Sequence, residues 1–331
     1  MVIASTEDQQ RDIAMKSAAI VMSGLGLLAT TSAASPALAA EHSTAQHASQ
    51  SATATWWQPT NSGPNNGPEW QWELDHPLRV GNAADMGTGA TNAAGQVAAN
   101  PTVYDIDGIE NPASTVTALH NLGDKVICYV EIGSAGNYYS AADESIPVTY
   151  YAQLRAAGDL GAKMGGYPEY YLNINAPSTV SIVESMIRQQ CAAKGFNAVE
   201  PDIGDSYTDN NGFGTTEAQN AAYDNALGTY THSLGLAWGQ KNGDQDPSFA
   251  KMQEPVADFL LTEECNYYHT CATVTAPYVA AHKLVLNAEY TDDWGSSRVQ
   301  DLQKFCPADI SDGIDGVLFT SALSGQHHPC R

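Results

Sequence analysis

Positive charge is scarce in this chain. Against 37 aspartates and glutamates stand 14 lysines and arginines, a formal net charge of −23 over 331 residues. A surface of that sign repels phosphate backbones and anionic headgroups, which argues against nucleic acid or an acidic membrane as a partner. It attracts a cationic ligand, or it serves solubility in a salty or acidic medium. Long apolar runs are also missing. The one candidate, residues 18–29, is too short to span a bilayer, and no second follows. No C-x-x-C occurs and the nine histidines show no ligand spacing, so no metal and no cofactor are expected. No Gly-rich dinucleotide loop follows the first predicted strand, and no internal repeat is present.

What is there begins with a leader. Met15-Lys16 supplies a positive charge, residues 18–29 an apolar segment, and Ser35-Pro-Ala-Leu-Ala-Ala40 a small-residue region. Ala37-Leu38-Ala39 is an A-x-A cleavage pattern, so residues 1–40 read as an N-terminal extension and secretory signal peptide cut near Ala39. The start is Met1 or Met15. Residues 41–55, rich in Ser, Thr, Ala, Gln and His, read as a disordered linker. Residues 56–331 are then one large domain of a secreted protein, expected to be a monomer, and the chain after residue 40 carries a charge of about −22. Six cysteines in such a chain allow up to three disulfides and fifteen connectivities. Cys265 and Cys271 are placed to clip a local loop, and Cys306 with Cys330 to tie down the C-terminus. Cys128 and Cys191 are either a strand-to-helix pair or two buried free thiols.

Strand-like and helix-like segments alternate along the domain. Strands are predicted at 70–74, 102–107, 125–132, 197–202, 234–240, 258–263, 283–289 and 315–320. The clearest helix is 178–194, with Ile182, Met186 and Ile187 on one stripe and Gly195 as C-cap; shorter ones are 217–233 and 296–305. Eight strands separated by helices predict an α/β fold, a (β/α)8 barrel. A doubly wound open sheet is the alternative. Residues 81–100, rich in Gly, Ala and Asn, read as an irregular insertion.

The chemistry gathers where these strands end. Phe196-Asn-Ala-Val-Glu-Pro-Asp-Ile-Gly-Asp-Ser-Tyr-Thr208 is a short buried strand opening into Glu200, Asp202 and Asp205. The side-chain period of two puts Ala198, Glu200 and Asp202 on one face, and Pro201 suits a strand end. Asp105 and Asp107 share a face on the second strand, Glu131 sits on the third, Glu263 and Glu264 end the sixth, and Glu289 precedes Tyr290 on the seventh. Clustered like charges repel and must be compensated or used, and two carboxylates flanking a bond are the usual equipment of a glycosidase. Lys241 is the cation in this set, able to hold one carboxylate ionised or to neutralise the ring. Aromatics surround it: Tyr138, Tyr139, Tyr150, Tyr151, Tyr167, Tyr170 and Tyr171 in one long connection, and Trp56, Trp57, Trp70 and Trp72 at the start. Such rings stack on sugars, or they pack the barrel's edge.

In order along the chain, Trp70-Gln-Trp-Glu-Leu74, Tyr104-Asp-Ile-Asp107, Lys125-Val-Ile-Cys-Tyr129, Lys194-Gly-Phe-Asn-Ala-Val-Glu-Pro-Asp202, Lys241-Asn242, Glu263-Glu-Cys265 with Cys271, and Ala288-Glu-Tyr290 stand as a collinear set. This set resembles glycoside hydrolase family 114, the secreted TIM-barrel endo-α-1,4-polygalactosaminidases, over the whole domain. The resemblance implies Asp202 and Glu263 as the catalytic carboxylates, here assigned as nucleophile and acid/base. It also implies a polysaccharide substrate, a cationic galactosamine polymer. Trp72, Asp105, Asp107, Tyr129, Glu131, Glu200, Asp205, Tyr207, Lys241, Glu289 and Tyr290 form the expected substrate-binding set, while Glu264 is expected to turn away. The chain departs from the family pattern at Ile203-Gly204-Asp205, Thr262 and Gly108-Ile-Glu110. It departs again at Tyr138-Tyr139, at Gly166-Tyr-Pro-Glu169, and at Glu131-Ile-Gly133, read in place of a Ser-Ala-Gly. A non-catalytic polysaccharide-binding barrel is the alternative; a deacetylase would need a metal site that the sequence does not offer.

Overall fold

The structure, a computed structural model, describes residues 55–61, 67–243, 247–294 and 298–331. The predicted signal peptide and the linker up to residue 54 lie outside the described residues, as does the predicted helix start at 296.

Eight parallel strands form one curled sheet: β1 (Trp70–Glu73), β2 (Val103–Asp107), β3 (Lys125–Glu131), β7 (Ala198–Asp202), β8 (Ala237–Lys241), β9 (Phe259–Glu263), β10 (Leu284–Tyr290) and β11 (Asp315–Phe319). These are the eight predicted strands. A short β12 (His328–Pro329) adds antiparallel to β11. Alternation sorts the side chains into two cores. Trp70, Trp72, Val103, Ile127, Ala198, Phe259, Leu261, Leu286, Ala288, Val317 and Phe319 fill the barrel interior. Tyr104, Ile106, Val126, Cys128, Val130, Val199, Trp238, Leu260 and Val285 face the helices. Glycine is required at Gly239, where a Cβ would meet the Phe259 ring. The sheet closes between β1 and β11 without a ladder. The Trp70 indole N–H donates to the Asp315 carbonyl at 2.8 Å, and Leu74 N–H to the Leu323 carbonyl at 3.1 Å.

The helical layer follows the predicted pattern with one change. Helix Glu217–Ser233 has a capping box from Thr216 and Gln219, and helix Arg298–Asp312 runs past the predicted end. The third expected helix breaks into an α-helix, Pro177–Met186, and a wider π-turn, Ile187–Ala192. That turn carries Cys191, bonded to Cys128 of β3; Cys265–Cys271 and Cys306–Cys330 are the other two disulfides. The long connection after β3 holds structure the sequence did not announce. There β4 (Ser134–Gly136), β5 (Leu160–Lys163) and β6 (Glu169–Leu172) form a small antiparallel sheet. Ser134-Ala-Gly136, which forms β4, follows directly on Glu131-Ile-Gly133.

Several carboxyls are largely withdrawn from water, and Arg331 beside Glu69 and His76 beside Glu73 only partly offset that burial. Burial raises Glu69, Glu73, Glu144, Glu289 and Asp309 to about 7 each. The folded chain therefore holds protons that the unfolded chain releases near pH 4, and the stability these groups contribute is lost as pH climbs through about 7. His327 and His328, held neutral by burial at about 3 and about 4, act in the opposite sense below about pH 6.5. Five groups outweigh two. The melting temperature is expected to fall as pH is raised from about 5 to about 7.5, which calorimetry at fixed ionic strength would show; a rise over that interval would contradict the assignment.

Candidate active site

The C-terminal mouth of the barrel is organised by one ammonium. Lys241, the last residue of β8, is 3% exposed and reaches Glu200 at 2.9 Å, Asp202 at 2.8 Å and Glu263 at 3.2 Å. Those carboxylates outweigh its own desolvation and raise its pKa, so it stays charged. The Trp72 ring lies 4.8 Å from the nitrogen, a cation–π contact beneath it. Glu200 is fully buried, while the side chains of Asp202 and Glu263 keep 17% and 15% exposure. Asp202 also accepts from the Tyr129 hydroxyl at 2.8 Å. Glu263 accepts from Asn242 Nδ2 at 2.9 Å and from the Tyr290 hydroxyl, and its own N–H donates to Asn242 Oδ1 at 2.8 Å.

Backbone turns aim these groups. Ile203, Asn242 and Glu264 each follow the last residue of a neighbouring strand, and all three have positive φ, at 57°, 48° and 54°. Left-handed backbone is costly for side-chain-bearing residues, most of all for β-branched Ile203. Its recurrence on three adjacent strands reverses the chain directly after Asp202, Lys241 and Glu263. The ladder runs to the turn itself, with Ile132 N–H donating to the Asp202 carbonyl at 2.9 Å and Glu264 N–H to the Ala288 carbonyl at 2.7 Å. Gly133 is obligatory here, since a Cβ would overlap the Ile203 carbonyl oxygen.

The other expected site residues divide by position. Tyr129, Lys241 and Tyr290 touch the carboxylate pair. Glu131 is level with Asp202 in the β3–β7 register and accepts from the Tyr138 hydroxyl; burial, reinforced by Glu169, raises its pKa. Trp72, Asp105 and Glu200 lie below the opening, fully buried, and reach it through Lys241. Asp107 is held by its own turn, accepting from the N–H groups of Ile109 and Glu110 at 2.7 and 2.6 Å and from the Tyr139 hydroxyl at 2.6 Å. Asp205 accepts from Gly243 N–H at 3.1 Å, tying two loops, and Tyr207 packs on Phe249.

Glu289 is a correction. It points outward, fully buried, and accepts from Asn266 N–H at 2.8 Å, Asn287 Nδ2 at 3.2 Å and Trp294 Nε1 at 3.2 Å. Alternation with Leu286, Ala288 and Tyr290, which face inward, puts it there. Two of the tryptophans take the second of the two roles expected for these rings, packing the barrel's edge. Trp56 stacks on His232 and donates to Asp258 at 3.1 Å, and Trp70 joins β1 to the first residue of β11, both at the base of the barrel. Asn242, which follows Lys241 in the collinear set, joins the site through its pairing to Glu263.

Two clusters among the described residues bring three possible metal-ligand atoms together. In one, the sulfurs of Cys265 and Cys271 are joined as a disulfide. In the other, Arg79 already grips Asp85 with two hydrogen bonds at 2.8 and 2.7 Å. Neither offers an open donor set. What the mouth can do is carboxylate chemistry. Contact with one shared nitrogen places an oxygen of Asp202 within about 6 Å of one of Glu263, close enough to act on a single bond from two sides.

Removing the ammonium should therefore unbalance the whole mouth. Lys241→Met is expected to cost on the order of 3–5 kcal/mol. The loss should be larger at pH 8 than at pH 5, because carboxyls that take up protons replace the missing charge. Melting curves at the two pH values test this, and an equal loss at both would refute it.

A family model described as glycoside-hydrolase family GH114 matches residues 46–331. No curated protein matches the chain. Among solved structures, Ega3 of Aspergillus fumigatus, in complex with galactosamine, is similar with a TM-score of 0.66 and 24% identity, over 83% of this chain and 97% of that one. The glycoside hydrolase domain of PelA from Pseudomonas aeruginosa is similar with a TM-score of 0.53 and 14% identity, over 80% and 98%. Both likenesses bear on the fold.

Proposed function

The chain belongs to glycoside-hydrolase family GH114, and from that premise we propose that it is a secreted, endo-acting hydrolase of α-1,4-galactosaminidic bonds in a cationic galactosamine polysaccharide. The observation that carries this reading is the convergence of Asp202 and Glu263 on Lys241 at the barrel mouth. In the reading, Asp202 is the nucleophile, oriented by the Tyr129 hydroxyl and Lys241, and attacks the anomeric carbon. Glu263, oriented by Asn242 and Tyr290, gives its proton to the departing glycosidic oxygen and later takes one from the incoming water. A separation of at most about 6 Å between the nearest oxygens favours retention, since inverting pairs stand about 6.5–9.5 Å apart.

The linkage and the endo mode rest on the collinear motifs. Galactosamine as the sugar is supported by the ligand of the Aspergillus relative, and by the acidity of this chain, which suits an ammonium-bearing polymer. Secretion is supported by the Ala37-Leu38-Ala39 pattern, the three disulfides and the absence, among the described residues, of any helix long and apolar enough to cross a membrane.

Asp202→Asn and Glu263→Gln are each expected to cut turnover of a deacetylated galactosamine polymer by about 1,000-fold or more with the melting temperature held. Glu264→Gln, altering a 3% exposed residue beyond the turn, should keep most of the turnover. A folded variant of either catalytic residue that retains a tenth of wild-type activity would remove it from the pair.

The substrate class has its own test. Raising salt shortens the range of attraction, about 10 Å at 0.1 M, so apparent affinity for the polycation should weaken with salt while kcat changes little. N-acetylating the polymer removes its charge and should weaken binding in the same way. Equal cleavage of the acetylated and deacetylated polymers at all salt concentrations would rule out a cationic substrate.

A further inference from the structure

We propose that Asp205 is a positioning residue, fastened to the helical layer by Asn220, whose bond to Gly243 closes a split between β7 and β8 and so fixes the separation of Asp202 and Glu263. The sheet is not laddered evenly towards the mouth. The β3–β7 ladder runs up to Glu131 and Asp202, the β8–β9 ladder to Lys241, and the β9–β10 ladder to Glu263. Between β7 and β8, among the described residues, pairing stops at Val199 opposite Trp238. Pro201 explains the stop. The Asp202 carbonyl accepts from Ile132, just past the end of β3. Alternation then turns the backbone of Pro201 towards β8, where it has no N–H to donate. The split therefore lies between the strand that carries Asp202 and the strands that carry Lys241 and Glu263.

The Lys241 side chain spans the split from β8, reaching Glu200 and Asp202. Above it, Oδ2 of Asp205 accepts from Gly243 N–H at 3.1 Å. Gly243 follows Asn242, whose Nδ2 donates to Glu263 at 2.9 Å and whose Oδ1 accepts from the Glu263 N–H at 2.8 Å. On the other side, only Ile203 and Gly204 separate Asp205 from Asp202. The bond thus joins the turn that ends one carboxylate's strand to the residue that holds the other carboxylate.

Asn220 supplies the anchor. It is 1% exposed and belongs to helix Glu217–Ser233. Its Oδ1 accepts from Ser206 Oγ at 3.0 Å and from Tyr207 N–H at 3.1 Å, and its Nδ2 donates to the Gly204 carbonyl. One amide grips the turn on both sides of Asp205, so the turn moves with the helix rather than as a loop. Losing the bond to Gly243 would put more of the separation on the flexible four-carbon stem of Lys241, and a misplacement of about 1 Å can cost about 100-fold in rate. The kinetic part of this inference rests on Asp202 and Glu263 being the reacting pair; the latch itself does not.

Hydrogen exchange at single amides, followed by NMR, reads the latch without reference to any substrate. In Asp205→Ala the Gly243 and Glu263 amides are both expected to exchange at least about tenfold faster than in the wild type. Unchanged exchange at Glu263 overturns the proposal, whatever polymer the protein cuts. On the deacetylated polymer, Asp205→Ala should lose about tenfold or more in kcat with KM within about threefold. Asp205→Asn, whose Oδ1 can still accept from Gly243, should keep at least about a third of kcat. A raised KM with kcat intact would make Asp205 a substrate-binding residue, and an asparagine variant as impaired as the alanine one would deny the hydrogen bond its role; either result overturns the proposal. A wild type that leaves the polymer uncut would sink the proposed activity and leave exchange to decide the latch. Should the alanine variant fail to fold, Asp205→Ser, whose hydroxyl stops one bond short of Gly243, takes its place in both measurements.

Discussion

A single positive charge inside a ring of carboxylates is the constraint on which this barrel mouth depends. Lys241 cannot be taken from water unless anions receive it, and Glu200, Asp202 and Glu263 cannot stand together unless a cation separates them. Each side of the arrangement is untenable alone. Its geometry is consequently narrow: the ammonium must lie where three strands, β7, β8 and β9, point their final inward residues. The indole of Trp72 closes the space below, so that the nitrogen is held from underneath by a π-face and from the sides by oxygen.

The backbone conforms to that arrangement at a cost. Three adjacent strands end in left-handed residues, one of them the β-branched Ile203, a conformation worth about 1–3 kcal/mol of strain at each place. Such strain persists where the surroundings over-determine it. Gly133 leaves room for the Ile203 carbonyl, Asn242 is bonded through both ends of its side chain to Glu263, and the Glu264 N–H completes the ladder to β10. The result is that no residue of a flexible loop is needed to orient the carboxylate pair.

Much of this was legible because a strand has a period of two and a parallel ladder has a fixed register. Those rules alone place Glu200 and Asp202 on one face, and put Lys241 and Glu263 at the ends of the next two strands. The same rule, applied strictly to Leu286, Ala288 and Tyr290, would have sent Glu289 outward; proximity to Tyr290 in sequence obscured it. Depth was not legible. Nothing in Asp105 or Trp72 as residue types reveals that they sit a layer below the opening, because depth depends on the stagger between neighbouring strands. The antiparallel sheet β4–β6–β5 escaped for another reason. Its strands have only three or four residues, too few for alternation to rise above the glycines and tyrosines around them.

Counting charges from the sequence also overstates the field this mouth projects. The formal −23 assigns a full charge to every carboxyl. Glu69, Glu73, Glu144, Glu289 and Asp309 hold their protons up to about 7, and burial raises Asp105, Asp224 and Glu131 well above their ordinary values. The long-range attraction therefore comes from the exposed carboxylates. Attraction of a polycation needs those groups charged, while the fold needs the buried ones neutral. Both conditions hold together between about pH 5 and about pH 7. Below that interval carboxylates in general lose their charge; above it the interior gains charge at a cost in desolvation. A mildly acidic medium is thus the setting in which this charge distribution is self-consistent, and the two readings of the acidity, as a lure for a cationic polymer and as an adaptation to surroundings, become aspects of one electrostatic balance.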